Sequence, residues 1–453
     1  MSPALTRKTL TDHLIDHRPP VQTALVLHPD RANSAVLRDV TARLEEAVGL
    51  ALALDLDVVR AEAVTLRAAT PATLFGKGKV TQIGEWVEEL DASVVVVDDA
   101  LTPVQQRNLE KAWQVKVIDR TGLILEIFAR RARTREGRLQ VELARLAYER
   151  SRLVRTWTHL ERQRGGFGVM GGPGETQIET DRRLLAGKIG RLKRELDEVR
   201  RTRHLQRAAR QRTPVPTIAL VGYTNAGKST LFNRLTDATV EAKDMLFATL
   251  DPTFRALKLP NGRSAALSDT VGFISDLPHE LIEAFRATLE ATAEADVIVH
   301  VRDIANPDTE AQAADVMGVL AQIGVDPDGA RPIVEVWNKI DLLDPEDAAA
   351  AQARALRATG PRPAPVAVSA QTGQGLDRLQ AMLAELIDQG APVEADLPPG
   401  EGKALAWLYS HGRILSREDR DDGHVRLSVR LDPKALGQFE QMFPQALAHQ
   451  AAQ

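Results

Sequence analysis

The chain of 453 residues contains no cysteine, which excludes disulfide bonds, thiolate metal sites and a cysteine nucleophile. It also lacks long hydrophobic runs, and no stretch approaches the roughly 20 apolar residues that a membrane span requires. Residues 1–20 are polar and have no apolar core of the length found in secretion signals. These absences predict a soluble, cytoplasmic protein without a transmembrane segment.

A glycine-rich stretch near the middle of the chain carries the strongest functional signal. Its spacing, G-x-x-x-x-G-K-[ST], is that of a phosphate-binding loop, and it stands between a predicted buried strand at 217–221 and a predicted helix at 230–235. The eight residues are Gly222, Tyr223, Thr224, Asn225, Ala226, Gly227, Lys228 and Ser229. Backbone N–H groups of such a turn can surround nucleotide phosphates. We expect the Lys228 ammonium to contact the β- and γ-phosphate oxygens and the Ser229 hydroxyl to be a ligand of Mg²⁺.

Three shorter motifs, each after a predicted strand, identify the nucleotide as GTP. Asp269-Thr270-Val271-Gly272 directs a carboxylate towards Mg²⁺ and a glycine N–H towards the γ-phosphate. Asn338-Lys339-Ile340-Asp341 offers the Asp341 carboxylate, which can accept two hydrogen bonds from guanine but not from adenine. Ser369-Ala370-Gln371 offers a backbone N–H to the guanine O6. The order and setting of the four motifs predict a GTPase.

The sequence does not identify the residue that orients the attacking water. In many small GTPases a glutamine directly follows Asp-x-x-Gly, but here that position is Phe273. We therefore expect slow hydrolysis by the isolated protein. Asn225 has two interpretations of equal weight: its side-chain oxygen holds a K⁺ ion beside the phosphates, or it only braces the loop.

Changes in hydrophobic period divide the chain into regions, and the predicted fold class is α/β and multidomain. The predicted regions are a flexible tail at 1–20, a small α/β domain at 21–132, a basic helical hairpin at 133–212, a phosphate-loop GTPase domain at 213–390 and a small α+β domain at 391–453. In the last region, 404–409 and 425–431 are predicted strands, and a helix is predicted from Pro433. Gly76-Lys77-Gly78-Lys79 is interpreted as a turn and helix start in preference to an anion-binding turn.

The hairpin at 133–212 is predicted from apolar residues that recur alternately at four and three positions along two segments, with an interruption at Arg150. A glycine-rich tip at 165–174 joins the arms, and a capping box of Thr176 and Glu179 is predicted to start the second helix. Both arms are rich in arginine, which suits the phosphodiester backbone of RNA. The candidate RNA contacts are Arg152, Arg155, Arg191 and Arg194. The alternative is a solvated coiled-coil surface with i,i+4 ion pairs.

Six stretches carry a family resemblance. They are Phe75-Gly76-Lys77-Gly78-Lys79, Gln105-Gln106-Arg107-Asn108-Leu109-Glu110, Val117-Ile118-Asp119-Arg120-Thr121, Gln140-Val141-Glu142-Leu143-Ala144, Gly172-Pro173-Gly174-Glu175-Thr176-Gln177 and Phe247-Ala248-Thr249-Leu250-Asp251. From about residue 20 onwards the chain resembles the HflX family of ribosome-associated GTPases, which are phosphate-loop proteins of the Obg-HflX type.

The resemblance implies that the last of these stretches, 247–251, belongs to the nucleotide site. It favours Thr249 over Thr253 as a ligand of Mg²⁺, and it makes Thr249 a catalytic candidate beside Lys228 and Gly272. It also implies that the protein binds the large ribosomal subunit, with the hairpin reaching ribosomal RNA. We expect a monomer.

The biological step remains open at this point between ribosome splitting, recycling and subunit biogenesis, as does the use of ATP. The alternative function is a stand-alone GTPase switch for a protein partner, with the hairpin as a dimerising coiled coil. An RNA-modifying enzyme is a third hypothesis, but no nucleophile or cofactor motif beyond the GTP site supports it.

Overall fold

Alternating strands and helices at the start of the chain form a parallel sheet, which we call the N-terminal layer. Its elements are β1 (Thr23–Arg31), α1 (Val40–Leu52), β2 (Asp57–Leu66), α2 (Lys77–Glu89), β3 (Val94–Val97), α3 (Pro103–Trp113), β4 (Lys116–Asp119) and α4 (Arg120–Arg131). In the computed structural model the strand order is β2-β1-β3-β4. Ala24 and Val26 pack with α1 and α4, whereas Leu25 and Leu27 pack with α2 and α3, as the period of a strand requires. The predicted α/β layer is confirmed.

The structure describes residues 22–31, 38–163, 173–210, 215–236, 246–247, 253–277, 281, 292–326, 329, 331–360, 362–387, 392–431 and 433–446. Several predictions fall elsewhere. The flexible tail at 1–20, most of the glycine-rich tip and Thr249 lie outside the described residues. Within those ranges, no helix is long and apolar enough to cross a membrane.

Two long helices, α5 (Arg135–Gln163) and α6 (Pro173–Arg210), form the hairpin. Over the part of the hairpin whose side chains are described, their predicted seam is confirmed, because Leu139 and Leu146 of α5 pack against Ile189, Leu192 and Leu196 of α6. Arg150 is exposed at the predicted interruption, and α5 continues through it. The predicted start of the second helix at Thr176 is wrong: α6 begins at Pro173, whose fixed φ suits the first helical position.

Gly76 and the lysines after it form the start of a helix, as predicted. Gly76 is the N-cap residue of α2, and its backbone is extended with a φ of −67° and a ψ of 156°. Lys77 and Lys79 are exposed on the first turn. The interpretation as a turn and helix start is therefore confirmed.

The second sheet has the strand order β10-β9-β8-β5-β7-β6, in which only the edge strand β6 is antiparallel. Its elements are β5 (Thr217–Gly222), α7 (Lys228–Thr236), β6 (Thr253–Lys258), β7 (Ser264–Asp269), β8 (Val297–Asp303), α8 (Thr309–Gln322), β9 (Ile333–Asn338), a 3₁₀ turn (Ile340–Leu342), α9 (Pro345–Arg357), β10 (Val366–Ala367) and α10 (Leu376–Ile387). The Asn261-Gly262 turn joins β6 and β7, with a φ of 82° at Gly262. Each of the four nucleotide motifs begins within two residues of the end of a parallel strand, at the sheet edge where such sites form.

The chain ends in a three-stranded antiparallel sheet of order β11-β13-β12 with two helices. Its elements are β11 (Pro392–Leu397), α11 (Gly402–His411), β12 (Arg413–Asp419), β13 (Val425–Arg430) and α12 (Pro433–Met442). The predicted strand at 404–409 is wrong, because these residues belong to α11. Ala404 and Leu408 are buried one helical turn apart, and a short apolar run does not by itself distinguish a buried helix from a strand.

Candidate nucleotide site

The phosphate loop connects the end of β5 to the start of α7. The Lys228 ammonium donates to the backbone oxygens of Gly222 at 3.0 Å and Tyr223 at 2.7 Å, which engages two of its three donors. Lys228 is buried, and this burial lowers its pKa to about 8 even though the Asp269 carboxylate opposes the shift. The loop thus holds a buried cation with a remaining donor.

Asn338 joins three of the four predicted motifs. Its side-chain Nδ2 donates to the Ala226 oxygen at 2.8 Å, and its Oδ1 accepts from the Ala370 N–H at 2.9 Å. Gly227 has a φ of 90°, and a Cβ there would lie 2.2 Å from Asn338 Nδ2, so only glycine permits this approach. The Ala370 N–H, a candidate for the guanine O6, is thus engaged by Asn338 in this structure.

The predicted base-recognition residue Asp341 is exposed on the 3₁₀ turn. Lys339, directly before this turn, has a left-handed φ of 65° and forms an ion pair with Asp303 at 2.8 Å. Ile340 is buried and anchors the turn in the core. The carboxylate of Asp341 is exposed and can therefore meet a ligand from solvent.

In the fourth motif, Ser369 is buried and accepts a hydrogen bond from the Thr372 N–H, whereas Gln371 is exposed.

Ser229 and Asp269 lie together at the other end of the site. The Ser229 hydroxyl donates to Asp269 Oδ2 at 2.7 Å, and Asp269 is fully buried at the end of β7. The next residue, Thr270, donates to the Leu220 oxygen at 2.6 Å and thereby ties this motif to β5. Val271 packs in the core. A hydroxyl and a carboxylate, both hard oxygen donors, are thus adjacent.

The segment after Asp269 pairs directly with the phosphate loop. The Thr224 N–H donates to the Phe273 oxygen at 2.7 Å, and the Phe273 N–H donates to the Gly222 oxygen at 3.1 Å. A Cβ on Gly272 would lie 3.0 Å from Thr224 Cγ2 and 3.1 Å from Lys228 Nζ. Phe273 is 2% exposed and packs in the hydrophobic cluster that continues into the N-terminal layer. Its ring is therefore part of the core.

The Tyr223 side chain points into the N-terminal layer, which the sequence did not reveal. Its hydroxyl donates to Glu46 Oε2 at 2.6 Å and accepts from the Ser275 N–H at 2.9 Å. Burial, followed by the charge of Glu46, raises the pKa of Tyr223 above its usual value. One side chain of the phosphate loop thus contacts both α1 and the segment after Gly272.

Arg120 reinforces the same contact from the start of α4. Its guanidinium donates to Ser275 Oγ at 3.0 Å and to the Ser275 oxygen at 3.2 Å, and it also bonds Glu46 and Asp98. Burial alone would raise the pKa of Asp98, but the charge of Arg120 and a bond from His28 outweigh it, so that this pKa lies below its usual value. In the sequence, the only indication of this contact was the presence of Asp119 and Arg120 in one of the six stretches that carry the family resemblance.

Asp119, next to Arg120, contacts the hairpin. Its Oδ1 accepts from the Tyr148 hydroxyl at 2.6 Å, and its Oδ2 accepts from Arg152 Nη2 at 3.1 Å. Arg152 also donates to the Leu101 oxygen at 3.0 Å, and its side chain is 17% exposed. The assignment of Arg152 as an RNA contact is therefore corrected: its side chain anchors α5 to the N-terminal layer.

Phe247 is the one residue of the predicted 247–251 stretch that the structure describes. Its ring meets Phe128 of α4 edge to face, with centroids 4.6 Å apart. The preceding Leu246 contacts α1, because a Cβ on Gly49 would lie 3.2 Å from Leu246 Cδ1. Residues 248–251, including Thr249, lie outside the described part, so their predicted role in the site stays a prediction.

A cavity of about 460 Å³ lies between α1 and the phosphate loop. Thr224 and the exposed Asn225, which has a φ of 58°, line it from the loop side. Arg43 and Glu46 line it from α1. The cavity therefore opens beside the phosphate loop at the contact with the N-terminal layer.

Four family models match successive parts of the chain, and solved structures resemble it. Family models described as GTP-binding GTPase N-terminal, GTP-binding GTPase Middle Region, 50S ribosome-binding GTPase and HflX C-terminal domain match residues 41–129, 131–210, 217–339 and 355–450. A solved GTP-binding protein of Sulfolobus solfataricus in complex with GDP is 23% identical, with a TM-score of 0.44 over 82% of this chain and 99% of that chain.

Two relatives share the name GTPase HflX. The protein of Magnetococcus marinus is 49% identical over 420 residues, which span 91% of this chain and 95% of the relative. The protein of Escherichia coli K12 is 47% identical over 366 residues, which span 81% of this chain and 84% of the relative. With such identity over nearly the whole length, the chain belongs to the HflX family and is a GTP-hydrolysing enzyme.

Proposed function

We propose that the protein binds the large ribosomal subunit through its basic hairpin and hydrolyses GTP at the phosphate loop, in the cytoplasm, during ribosome splitting, recycling or biogenesis. The observation that carries the ribosomal part is the hairpin. The apolar seam of α5 is covered by α6 of the same chain, so it needs no second copy, and this favours the monomer over the dimerising coiled coil.

Both arms leave basic side chains at the surface. Those on the described part of the hairpin that are exposed are Arg135, Arg138, Arg145 and Arg150 on α5, and Arg182, Arg183, Lys188, Arg191, Lys193, Arg194 and Arg201 on α6. Some of these basic side chains form ion pairs with acidic neighbours, such as Arg191 with Glu195 at 3.2 Å. An exposed basic surface of this kind suits RNA phosphates. The printed description of the matching model for 217–339, a 50S ribosome-binding GTPase, supports the same partner.

In the proposed complex GTP lies along the edge of the second sheet. Lys228 and the Gly272 N–H contact the γ-phosphate, the loop N–H groups surround the β-phosphate, and Asp341 binds guanine. The adjacent oxygens of Ser229 and Asp269 fit Mg²⁺, with Ser229 and Thr249 as direct ligands. When bound, Mg²⁺ neutralises charge on the phosphate oxygens.

Charge reversal on the hairpin tests the ribosomal part of this proposal. Arg183, Lys188 and Arg194 are exposed on α6, and replacing all three by glutamate should weaken binding to large subunits. The slope of log K against log salt should fall by roughly 1 for each phosphate contact that is lost. Arg152 is left unchanged because it anchors the hairpin. The measurement is co-sedimentation with purified subunits over a salt series, with a GTP analogue or GDP.

The matched control reverses three exposed charges on the N-terminal layer, Arg67, Lys77 and Lys111. It should retain the salt slope of the unmodified protein. GTP affinity should be the same for all three proteins, since none of the changed residues contacts the phosphate loop. Binding of the hairpin variant with an unaltered slope would show that the hairpin is a structural coiled coil.

The same proposal predicts how turnover depends on additives. Because Phe273 is buried in the core and cannot hold the attacking water, turnover by the protein alone should be slow. It should rise when large subunits order the segments around Thr249 and Asp269. If the exposed Asn225 holds a monovalent cation, turnover should also be faster in K⁺ than in Na⁺. Steady-state phosphate release in four mixtures, with and without subunits in each salt, measures both effects. Fast turnover that neither addition changes would contradict the proposal.

A further inference from the structure

The hydrolytic water needs a polar partner that the position after Gly272 does not supply. Phe273 offers no hydrogen-bonding atom on its side chain, and its ring is buried in the core. A water positioned for attack on phosphorus must still be oriented by a nearby group. A buried polar group of the phosphate loop whose hydrogen bonds are incomplete is suited to this role.

Thr224 has such a group. It is 6% exposed, and its hydroxyl oxygen has no hydrogen-bond partner among the described residues. A buried hydroxyl without a partner is unfavourable, so such groups are rare unless a ligand or water completes them. Ser268, Thr292 and Thr309 also have incomplete hydroxyls. Of these four, Thr224 is the one that lies in the phosphate loop and lines the cavity of about 460 Å³.

The position of Thr224 is fixed relative to the groups that would hold the γ-phosphate. Its Cγ2 lies 3.0 Å from the place of a Cβ on Gly272, and Lys228 Nζ lies 3.1 Å from the same point. The bond from the Thr224 N–H to the Phe273 oxygen holds the two segments together. The Thr224 side chain therefore lies beside Gly272 and Lys228 with its methyl group nearest to them, and the hydroxyl is bonded to the same Cβ. The residue also lines the cavity, which is large enough to admit water.

We propose that the Thr224 hydroxyl is a catalytic residue that binds and orients the attacking water. This inference rests on the proposed placement of GTP at the phosphate loop. The hydroxyl accepts a hydrogen bond from the water and donates to a γ-phosphate oxygen. The water oxygen then bonds to the γ-phosphorus while the bond to the β–γ bridging oxygen breaks. The electron pair of that bond leaves with GDP, and the proton of the water passes to the released phosphate.

The test compares Thr224→Val, which keeps the shape and removes the hydroxyl, with Thr224→Ser, which restores it. Thr224→Val should lower kcat by roughly 10²-fold, with KM and the affinity for a fluorescent non-hydrolysable GTP analogue unchanged. Thr224→Ser should regain most of the rate. Thr292→Val is the matched control, because Thr292 is a fully buried threonine whose hydroxyl also lacks a described partner but does not line the cavity. It should hydrolyse GTP normally.

Three outcomes would overturn the inference. Normal kcat in Thr224→Val would show that the hydroxyl is not used. Weaker analogue binding with unchanged kcat would show that the hydroxyl only holds the phosphate. Equal loss in Thr224→Val and Thr224→Ser would show a packing role. Lys228→Met in the same series distinguishes failure of this inference from failure of the proposed GTP site. If Lys228→Met is inactive while Thr224→Val has normal activity, the GTP site is supported and only the proposed role of Thr224 is refuted.

Discussion

Replacing Asp341 by asparagine is expected to change the preferred nucleotide from GTP to XTP. The carboxylate can accept from the N1–H and the 2-amino group of guanine, whereas the amide offers a donor where xanthine has a carbonyl. Loss of two charge-assisted hydrogen bonds should cost GTP binding about 4 kcal/mol, or roughly 10³-fold in affinity. Competition between GTP and XTP for a fluorescent guanine nucleotide measures the change directly.

The surroundings of Asp341 allow this substitution to change base recognition without disturbing the fold. The side chain is exposed, so the amide leaves no buried group unpaired, and the 3₁₀ turn is anchored by Ile340. Asp344→Asn is the matched control: this carboxylate is exposed three residues later and makes no capping bond to the helix that follows it. Asp344→Asn should keep the preference for GTP. Equal preference in Asp341→Asn and the unmodified protein would refute the assignment of the base site.

Local patterns were sufficient to predict the phosphate loop and the elements around it. The spacing of Gly222, Gly227 and Lys228 fixes a turn between a strand and a helix, because the backbone N–H groups and the glycines determine that geometry within eight residues. The strand predicted at 217–221 lies within β5, and the helix predicted at 230–235 lies within α7. Their apolar periods are clear, and polar or turn residues flank them.

Contacts between distant segments could not be predicted from spacing. In the sequence Tyr223 is an ordinary loop residue, yet its hydroxyl donates a hydrogen bond to Glu46, which lies 177 positions earlier in the chain. The family resemblance assigns Phe247 to a nucleotide motif, yet its ring packs on Phe128 of the N-terminal layer. In the sequence Arg152 is one of many arginines, and its bonds to Asp119 and to the Leu101 oxygen distinguish it from the exposed ones. Tertiary packing decides each of these cases.

These contacts link the proposed ribosomal surface to the nucleotide site through two adjacent residues. Asp119 bonds Tyr148 and Arg152 of the hairpin, while Arg120 bonds Ser275, which follows the Gly272 segment. A shift of the hairpin relative to the N-terminal layer would therefore act on Asp119 and, through its neighbour, on the segment that pairs with the phosphate loop. This gives a physical route by which large subunits could produce the stimulation of turnover that we propose.

Replacing Lys228 by methionine is expected to abolish GTP hydrolysis while preserving the fold. Methionine keeps most of the volume but removes the buried charge, so turnover should fall by roughly 10³-fold or more, since loss of even one oxyanion donor costs about 10²–10³-fold. The thermal stabilisation that GTP gives the unmodified protein should disappear as well. Lys258→Met, at an exposed position on β6, is the control and should behave like the unmodified protein.

The pH dependence of Lys228 gives the same experiment a second readout. Burial lowers the pKa of this ammonium to about 8 in the nucleotide-free protein, against 10.5 for an ordinary lysine. GTP affinity should therefore fall as the pH rises through about 8, because the neutral amine no longer attracts the phosphates. The unfolded chain holds this proton up to pH 10.5, so the stability of the nucleotide-free protein should rise between the two values as the cost of the buried charge is relieved. In Lys228→Met, neither the fall in GTP affinity nor the rise in stability should appear when binding and denaturation are measured across that pH range. Normal GTP turnover by Lys228→Met would show that the phosphate loop is not the site of hydrolysis.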